Sequence, residues 1–438
     1  GASQNLKRVH ASWPELRISN SAVHFIAWAF RHAAVSPYLI AQRLIQAMVN
    51  GGWLDYYFMG RFDNQDDREC FDLVRSIFRF HAQHEHYYTG IESVAEACIV
   101  EPDSRKFFAP LREFRGIYRI LAAHHVLTDV VHERVFYEAG AAERLHRYKA
   151  VIIPDVIFDD TRVHRVIDEY VASGGRVVIT GSRPGATSPG DDSDGAGRDG
   201  PAEGAPLYAS SGISEVRGTL ENTRSLNFRI REEDKKTLAG LENVDLVYCD
   251  GEIADCLAGS AEAHVPLLER AMMGPPEKCY YGEETGTPGL LANRYGDGVC
   301  VTIPWNIGTQ YESFATHGHE KLLFGVVRVL LEERWLVESD AHRTVELFLH
   351  HQREGAFSSL SAVNLSGQLG TAFFEPIAMR HVTFTVELPE EPKRAFSLAD
   401  EGRKDPLEQT VEATGEAYRV TVTLGELRLF ATIVFEYR

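Results

Sequence analysis

Residues 148–181 decide the fold of a large part of this chain, and they read YKAVIIPDVIFDDTRVHRVIDEYVASGGRVVITG. The apolar run at 149–154 has the length of a buried strand, and the pattern that follows it predicts a helix over 161–173. Gly174 and Gly175 end that helix, because glycine readily adopts the positive φ found at many helix C-termini. A second apolar strand at 176–180 completes a strand–helix–strand unit, which is typical of a parallel sheet covered by helices.

The same alternation extends on both sides of this unit. We predict further strands at 93–100, 129–131, 245–248, 289–294 and 298–303, and helices at 110–123 and 319–333. Together they indicate a flavodoxin-like parallel α/β domain over 91–340, with helices on both faces of the sheet. Residues 182–206 are rich in Gly, Asp, Ser, Pro and Ala and contain no large apolar residue. Such a segment buries too little apolar surface to order itself, so we predict a flexible insertion there.

From residue 341 onward apolar and polar residues alternate, so the apolar pattern repeats every two residues. We predict strands at 344–349, 359–365, 381–388, 417–424 and 427–435, separated by polar turns. This pattern without helices is typical of an antiparallel β-sandwich, which we place at 341–438.

The first 90 residues again alternate strand and helix. We predict strands at 23–30 and 53–59 and helices at 38–50 and 68–86, with Ser36 and Pro37 as the start of the first helix. A strand buried on both faces needs neighbours on each side, and two βα units do not close a barrel of eight. Residues 1–90 are therefore predicted to be the last βα units of a TIM-type (β/α)8 catalytic barrel whose beginning lies outside this chain.

The composition restricts the class of partner. With 63 acidic and 45 basic residues the formal net charge is −18, which disfavours nucleic acid and anionic membrane surfaces as partners. No apolar run has membrane-spanning length, and the first residues do not resemble a signal peptide. The six scattered cysteines form no CxxC pair and indicate reduced, buried thiols, so we expect a cytoplasmic protein.

The order of these parts resembles the β-galactosidases of glycoside hydrolase family 42 and related barrel hydrolases, including α-fucosidase-like proteins. The stretches that carry the resemblance are 148–155, 166–181, 296–305 (GDGVCVTIPW) and 363–366 (VNLS), with a weaker match at 51–61 (GGWLDYYFMGR). The resemblance implies a barrel, a glutamine-amidotransferase-like trimerisation domain and a small β-sandwich. This chain would be the C-terminal portion of such an enzyme, its partners being a carbohydrate substrate, further copies in a trimer, and the N-terminal barrel segment of the same protein.

Catalysis by the family needs two carboxyl groups at the carboxyl ends of barrel strands. The resemblance places the acid after the fourth strand, which this chain does not contain, and the nucleophile after the seventh. If residues 23–30 are that seventh strand, Arg31 and His32 follow it, and neither is a carboxylate. The catalytic residues are therefore unknown, and we expect them outside this chain.

Polar and aromatic side chains on or just after the two predicted strand ends are the candidates for sugar binding. They are Trp28, Arg31, His32, Tyr57, Arg61 and Asp63, with Met59 beside them. Aromatic rings stack on the apolar face of a pyranose, while Arg and Asp form hydrogen bonds with hydroxyl groups. The alternative interpretation is that Trp28, Tyr57 and Met59 belong to a barrel core and that Arg61 and Asp63 are a surface pair.

Other chemistry has weaker support in the sequence. The predicted amidotransferase turn at 153–158 has no cysteine, and the strand-to-helix turns carry no GxGxxG motif, so we predict neither amide hydrolysis nor a cofactor. On a helix, His81 and Glu85 lie on the same face, and His84 lies on the adjacent face. Because histidines are also favoured at helix C-termini and a separate third ligand is lacking, we predict no metal site.

Two functions remain open at this point. The first is part of a hydrolase that cleaves glycosidic bonds of small oligosaccharides or glycosides, with the α/β domain serving oligomerisation. The second is a non-catalytic assembly or carbohydrate-binding protein that lacks a complete barrel.

Overall fold

The structure is a computed structural model, and it describes residues 1–102, 111–156, 158, 160–185, 204–221, 223–399 and 402–438. Most of the predicted insertion at 182–206 lies outside these residues. The α-helices are α1 (Ala2–Ser12), α2 (Pro37–Val49), α3 (Cys70–His84), α4 (Arg112–Ala123), α5 (Ala141–Leu145), α6 (Thr161–Ala172), α7 (Glu232–Thr237), α8 (Ile307–Phe314) and α9 (His317–Leu330).

Strands account for most of the remaining regular structure. They are β1 (Ser19–Val23), β2 (Trp53–Tyr57), β3 (Ile91–Ser93), β4 (Ala97–Glu101), β5 (Thr128–His132), β6 (Ala150–Pro154), β7 (Arg176–Thr180), β8 (Ile213–Leu220), β9 (Leu226–Arg229), β10 (Leu246–Cys249), β11 (Ile253–Ala258), β12 (Glu262–Leu268), β13 (Glu284–Tyr295), β14 (Gly298–Ile303), β15 (Val337–Ser339), β16 (Val345–Gln352), β17 (Phe357–Asn364), β18 (Gln368–Leu369), β19 (Ala372–Phe373), β20 (Met379–Leu388), β21 (Arg394–Ala399), β22 (Lys404–Leu407), β23 (Gln409–Thr414), β24 (Ala417–Leu427) and β25 (Phe430–Glu436).

The chain forms two compact units. The first contains Gly1–Ala95, Leu121–Val130 and Trp335–Arg438, and the second contains Glu96–Ile120 and Val131–Arg334. The first 95 residues therefore belong to the same unit as the predicted sandwich. The division into domains at 90 and 340 stays a prediction.

The first unit begins with α1, β1, α2, β2 and α3, and β1 pairs with β2 in parallel. Helix α2 confirms its sequence prediction, because Ser36 caps it through a hydrogen bond from the Tyr38 amide and Pro37 occupies its first turn. The predicted strand at 23–30 is wrong. The strand is β1 (Ser19–Val23), and the apolar residues after it form a loop, in which Phe25 pairs with Ala34 in an isolated bridge.

Two larger antiparallel sheets and the two-stranded antiparallel sheet of β18 and β19 also belong to this unit. One of the larger sheets has the strand order β15, β20, β24 and β23, and the other has the order β22, β21, β25, β17, β16 and β3. Ile40 and Leu44 of α2 and Ile77 of α3 share one apolar core with Phe430 and Val434 of β25. Burial of these side chains holds the βα segments to the six-stranded sheet.

The second unit contains a sheet with the strand order β10, β9, β12, β13, β14, β7, β6, β4 and β5. Strands β14, β7, β6 and β4 are parallel neighbours, as the sequence predicts. The expectation of a wholly parallel sheet is wrong, because β9, β10, β12 and β13 extend it in antiparallel order. The two-residue turn Gly296-Asp297 joins β13 to β14, and so tight a connection permits only antiparallel strands.

The single strand predicted at 93–100 is also wrong. Strand β3 pairs with β16, whereas β4 pairs with β6 of the parallel sheet. The chain leaves the first sheet at Ser93, whose hydroxyl accepts a hydrogen bond from the Ala95 amide at 3.2 Å. A polar residue that bonds its own backbone in this way ends a strand.

None of the described helices is long and apolar enough to cross a membrane.

Candidate functional site

Strands β1 and β2 form a parallel pair whose two faces differ in chemistry. Ala22, Leu54 and Tyr56 pack against the core that contains α2 and α3. Side chains alternate along a strand, so the opposite face carries Ser21 opposite Asp55. Among the described strands, β1 and β2 pair only with each other, which leaves one edge of each without a strand partner.

The face away from the helices contains a polar pair. The Ser21 hydroxyl donates a hydrogen bond to Asp55 Oδ2 at 2.6 Å. Ser21 is exposed and Asp55 is half-buried. The pair therefore presents one carboxylate and one hydroxyl group to the space beside the strands.

At the carboxyl ends of these strands lies a group of three rings, which we call the aromatic group: Phe25, Trp28 and Tyr57. Their ring centroids are 5.5 Å apart for Phe25 and Trp28, 5.8 Å for Phe25 and Tyr57, and 6.2 Å for Trp28 and Tyr57. Phe25 is buried, whereas Trp28 is 63% exposed. The aromatic group thus offers a large ring surface, in which the exposed Trp28 ring packs against Phe25 and Tyr57.

The remaining predicted site residues are distributed along the two loops. Arg31 donates a hydrogen bond to the Trp28 carbonyl oxygen at 3.4 Å, and His32 is exposed in the same loop. Arg61 and Asp63 form an ion pair in which both side chains are more than half exposed. This geometry matches the surface pair of the alternative interpretation, and such a pair contributes little stability.

Met59 links the second loop to the aromatic group. The Tyr57 hydroxyl donates to Met59 Sδ at 3.1 Å, and the Gln65 side chain donates to the Met59 carbonyl oxygen. The structure therefore brings Trp28, Tyr57 and Met59 together, while the contacts of Arg61 and Asp63 lie within their own loop.

Buried polar groups support the strand ends from the helix side. His24 directly follows β1, its amide donates to the Tyr57 carbonyl oxygen at 2.8 Å, and its Nδ1 lies 2.6 Å from the Tyr56 hydroxyl. Burial lowers the pKa of His24 and raises the pKa of Tyr56, so both side chains are neutral near pH 7. Burial likewise raises the pKa of the Cys70 thiol to about 11, which leaves it protonated. These groups position the loop after β1.

The histidines near the end of α3 do not converge on a shared point. His84 Nε2 lies 3.0 Å from the Gly402 carbonyl oxygen, and the His81 ring packs against Tyr88. Within the described residues no group of three or more His, Cys, Asp or Glu side chains is arranged to hold a metal ion.

In the second unit, the turn after β6 lies within residues 153–158, the stretch that the sequence analysis compares with an amidotransferase turn. Asp155 adopts a φ of 49° there, in the left-handed region. Its Oδ2 accepts a hydrogen bond from the Asn306 side chain at 3.2 Å and lies 3.4 Å from Arg183 Nη2. This position holds a carboxylate with hydrogen-bonded partners, and the sequence of the turn contains no thiol.

The sequence analysis missed three contributors to the site. The apolar pattern of 53–59 predicts a strand buried on both faces, and such a strand gives no reason to select Asp55 or its neighbour Ser21. The sequence predicts Phe25 inside a strand, whereas the structure places it in the loop after β1, with its ring buried and 5.5 Å from that of Trp28. The signal for Asp55 was present, since a carboxylate inside an otherwise apolar run of strand length requires a polar neighbour.

Comparisons with known proteins identify the fold. No protein-family model matches the chain. No curated protein matches it by sequence.

Solved structures do match. An α-L-fucosidase, isoenzyme 2 from Paenibacillus thiaminolyticus, aligns with 100% of this chain at 16% identity and a TM-score of 0.73. Gan42B, a GH42 β-galactosidase from G. stearothermophilus, aligns with 99% at 14% identity and a TM-score of 0.60. A β-galactosidase from Bacillus circulans sp. alkalophilus aligns with 90% at 15% identity and a TM-score of 0.56.

These alignments cover 62%, 57% and 53% of the respective solved chains. The protein therefore spans little more than half the length of the structures it matches. At this level of identity the likeness shows the fold alone, which this chain shares with parts of these solved structures.

Proposed function

We propose that this chain is the C-terminal part of a glycoside hydrolase that acts on small oligosaccharides or glycosides. In this proposal β1 and β2 are the last two strands of a (β/α)8 barrel, and the sugar site lies at their carboxyl ends. The likeness to a fucosidase and to β-galactosidases supports the proposal at the level of fold. The proposed substrate and reaction rest on the chemistry of the residues at the site.

The observation that carries the proposal is the face of β1 and β2 that points away from the helices. A parallel pair with one unpaired edge on each strand is unusual in isolation, because parallel strands normally lie in larger sheets that are covered on both faces. Membership of a barrel would turn this face toward the interior. The exposed Trp28 ring and the Asp55 carboxylate would then lie where TIM-barrel enzymes bind substrate.

Each group has a definite chemical task in this arrangement. Trp28, held by Phe25 and Tyr57, would stack on the apolar face of a pyranose ring. Asp55, whose Oδ2 accepts from Ser21, would accept a hydrogen bond from a sugar hydroxyl group. Hydrolysis itself needs one carboxyl group that protonates the leaving oxygen and a second that attacks the anomeric carbon or activates water. We propose that the preceding barrel strands supply these groups.

We also propose that the α/β domain assembles the enzyme into a trimer, as the family resemblance implies. Light scattering on the purified protein tests this part separately. A mass of three chains agrees with it, and a monomer at micromolar concentration contradicts it.

The test of the hydrolase is kinetic and uses the polypeptide encoded by the whole reading frame. We expect hydrolysis of 4-nitrophenyl α-L-fucoside or β-D-galactoside. The Trp28→Ala variant should raise KM about tenfold, which corresponds to the loss of about 1.4 kcal/mol of stacking.

Trp53→Ala is the matched control, because Trp53 is also an exposed tryptophan of this segment but lies at the amino end of β2. Its KM should match that of the unmodified enzyme. Binding of these sugars without hydrolysis of any 4-nitrophenyl glycoside would favour the alternative, a non-catalytic carbohydrate-binding or assembly protein.

A further inference from the structure

The β-sandwich contains a cleft of about 760 Å³ between the β21–β22 hairpin and strand β24. Its lining is mainly polar and includes Asp405, Glu408, Gln409, Thr423, Gly425 and Arg428. This volume lies within the usual range of small-molecule sites, about 300–1,000 Å³. The cleft contains none of the residues proposed above for sugar binding at β1 and β2.

One wall of the cleft is an edge of β24 that has no partner among the described strands. Strand β24 pairs with β20 along residues 418 to 427, but its pairing with β23 ends at Val422 opposite Gln409. Among the described strands, residues 423 to 427 therefore have a neighbour on one side only. The backbone groups on the other side offer donors and acceptors to the cleft.

The side chains around this edge carry charges of both signs. Asp405 and Glu408 lie on the hairpin wall, and Arg428 lies beyond the end of β24. Glu426 also lines the cleft and is paired with Arg380 at 3.3 Å. In the described part of the chain the Gln409 Oε1 atom is buried and accepts no hydrogen bond. The Nε2 atom of the same side chain donates to the Pro392 carbonyl oxygen at 2.8 Å, so Gln409 is anchored beside the cleft.

We propose that this cleft binds a neutral oligosaccharide. Sugar hydroxyl groups both donate and accept, so they suit a wall of alternating backbone groups beside carboxylates and a guanidinium group. This proposal is independent of the hydrolase proposed above. If the chain is part of a hydrolase, the cleft would hold a substrate chain away from the reaction centre.

Two other ligand classes fit the cleft less well. A polyanion would meet three carboxylates against two guanidinium groups in the cleft, and the chain as a whole carries a net charge of −18. An extended peptide added to β24 would gain its specificity from pockets for alternate side chains. The free edge has only five residues, and its Thr423, Gly425 and Glu426 positions are polar or lack a side chain.

The structure provides a variant that fills the cleft without strain. Gly425 lines the cleft, its φ lies outside the left-handed region, and a Cβ atom on it would meet no other atom within 4 Å. Gly425→Tyr should therefore fold normally and occupy the space. Glu408→Gln removes one carboxylate, and Glu416→Gln at the exposed turn before β24 is its matched control.

The experiment is isothermal titration of the purified chain with neutral tetrasaccharides from galactan, mannan, xylan and glucan, a chondroitin sulfate tetrasaccharide, and an unstructured peptide. We expect at least one neutral tetrasaccharide to bind at millimolar or tighter affinity. Gly425→Tyr should weaken that binding at least tenfold with an unchanged Tm, Glu408→Gln should weaken it severalfold, and Glu416→Gln should leave it unaltered.

Three results would overturn the proposal: no binding of any neutral tetrasaccharide, binding that Gly425→Tyr does not weaken, or binding of the sulfated sugar or the peptide alone. Trp28→Ala should leave this affinity unchanged. Failure here is therefore distinguishable from failure of the hydrolase, which is measured by the kinetics of Trp28→Ala.

Discussion

Replacing Glu346 with alanine tests whether the first helices are held to the six-stranded sheet as the structure shows. The Glu346 side chain, 6% exposed, lies on β16 and accepts hydrogen bonds from the Ser3 hydroxyl and the Gln46 side chain, each at 2.9 Å. Lys7 Nζ lies 4.0 Å from Glu346 Oε1, and the Lys7 side chain is 11% exposed. Because Ser3 and Lys7 are on α1 and Gln46 is on α2, one carboxylate joins both helices to the sheet.

The expected loss in free energy of unfolding follows from the groups that lose the Glu346 carboxylate in Glu346→Ala. Two buried donors lose their acceptor and a buried ammonium group loses its nearby carboxylate. Breaking a buried ion pair by removing one partner costs about 3–5 kcal/mol. For a unit of this size each kcal/mol lowers Tm by about 2–4 °C, so we expect a fall of about 6–20 °C.

Thermal unfolding followed by circular dichroism measures this effect. The double variant Lys7→Met with Glu346→Leu should recover only the part of the loss that comes from the ammonium group, because an apolar pair can replace a buried ion pair at little net cost while the Ser3 and Gln46 donors still lack their acceptor. A fall of less than 2 °C for Glu346→Ala, or a double variant as unstable as the single one, would refute the reasoning.

The pH dependence of Glu346→Ala provides an independent check. Burial lowers the pKa of Lys7, and the nearby Glu346 carboxylate partly offsets this effect. Without Glu346 the folded-state pKa of Lys7 falls further, so the unfolded chain binds more protons in the alkaline range. Stability then rises with pH, and the deficit of the variant should shrink between pH 7 and about pH 10.

Two further predictions concern the second unit. A Cβ atom on Gly116 would lie 1.8 Å from the Gly308 carbonyl oxygen, so Gly116→Ala should cost about 1–3 kcal/mol, while Gly286→Ala, with no atom within 4 Å, should leave the urea midpoint unchanged. A similar midpoint for both variants would contradict this close approach of α4 and α8. Burial lowers the pKa of His319 to about 4, and its Nε2 lies 2.9 Å from the Tyr248 carbonyl oxygen. Because the unfolded chain takes up the proton first, stability should fall by about 3 kcal/mol as pH drops from about 6.5 to 4, and the slope should be shallower in His319→Gln.

The sequence predicts those elements whose signal is local. Helix α2 is predicted to within one residue at each end because Ser36 and Pro37 fix its start, and Gly51 and Gly52 mark its end. The parallel strands β6 and β7 are likewise predicted, because each is an apolar run of strand length followed by a polar loop. In these cases local propensity and burial favour the same structure.

Prediction fails where the environment of a residue depends on strands distant in the sequence. Strand β1 begins with Ser-Asn-Ser because one of its faces is polar. A prediction based on runs of apolar residues therefore places the strand too late, around Phe25 and Trp28. The antiparallel strands β9, β10 and β12 join the sheet through long-range pairing, which has no local signature. Of the candidate site, the sequence predicts Trp28, Tyr57 and Met59 as neighbours of the strand ends, but the contacts of Trp28 and Tyr57 with Phe25 require the fold.

The most direct test of the central claim is a tryptophan fluorescence titration with the iminosugars 1-deoxyfuconojirimycin and 1-deoxygalactonojirimycin. It uses the polypeptide of the whole reading frame and its Trp28→Phe and Trp53→Phe variants. If the carboxyl ends of β1 and β2 form the sugar site, one of these ligands should produce a saturable change in the unmodified protein and in Trp53→Phe. That change should be lost or much reduced in Trp28→Phe. A change of equal size in Trp28→Phe, or no saturable change with either ligand, would contradict the account.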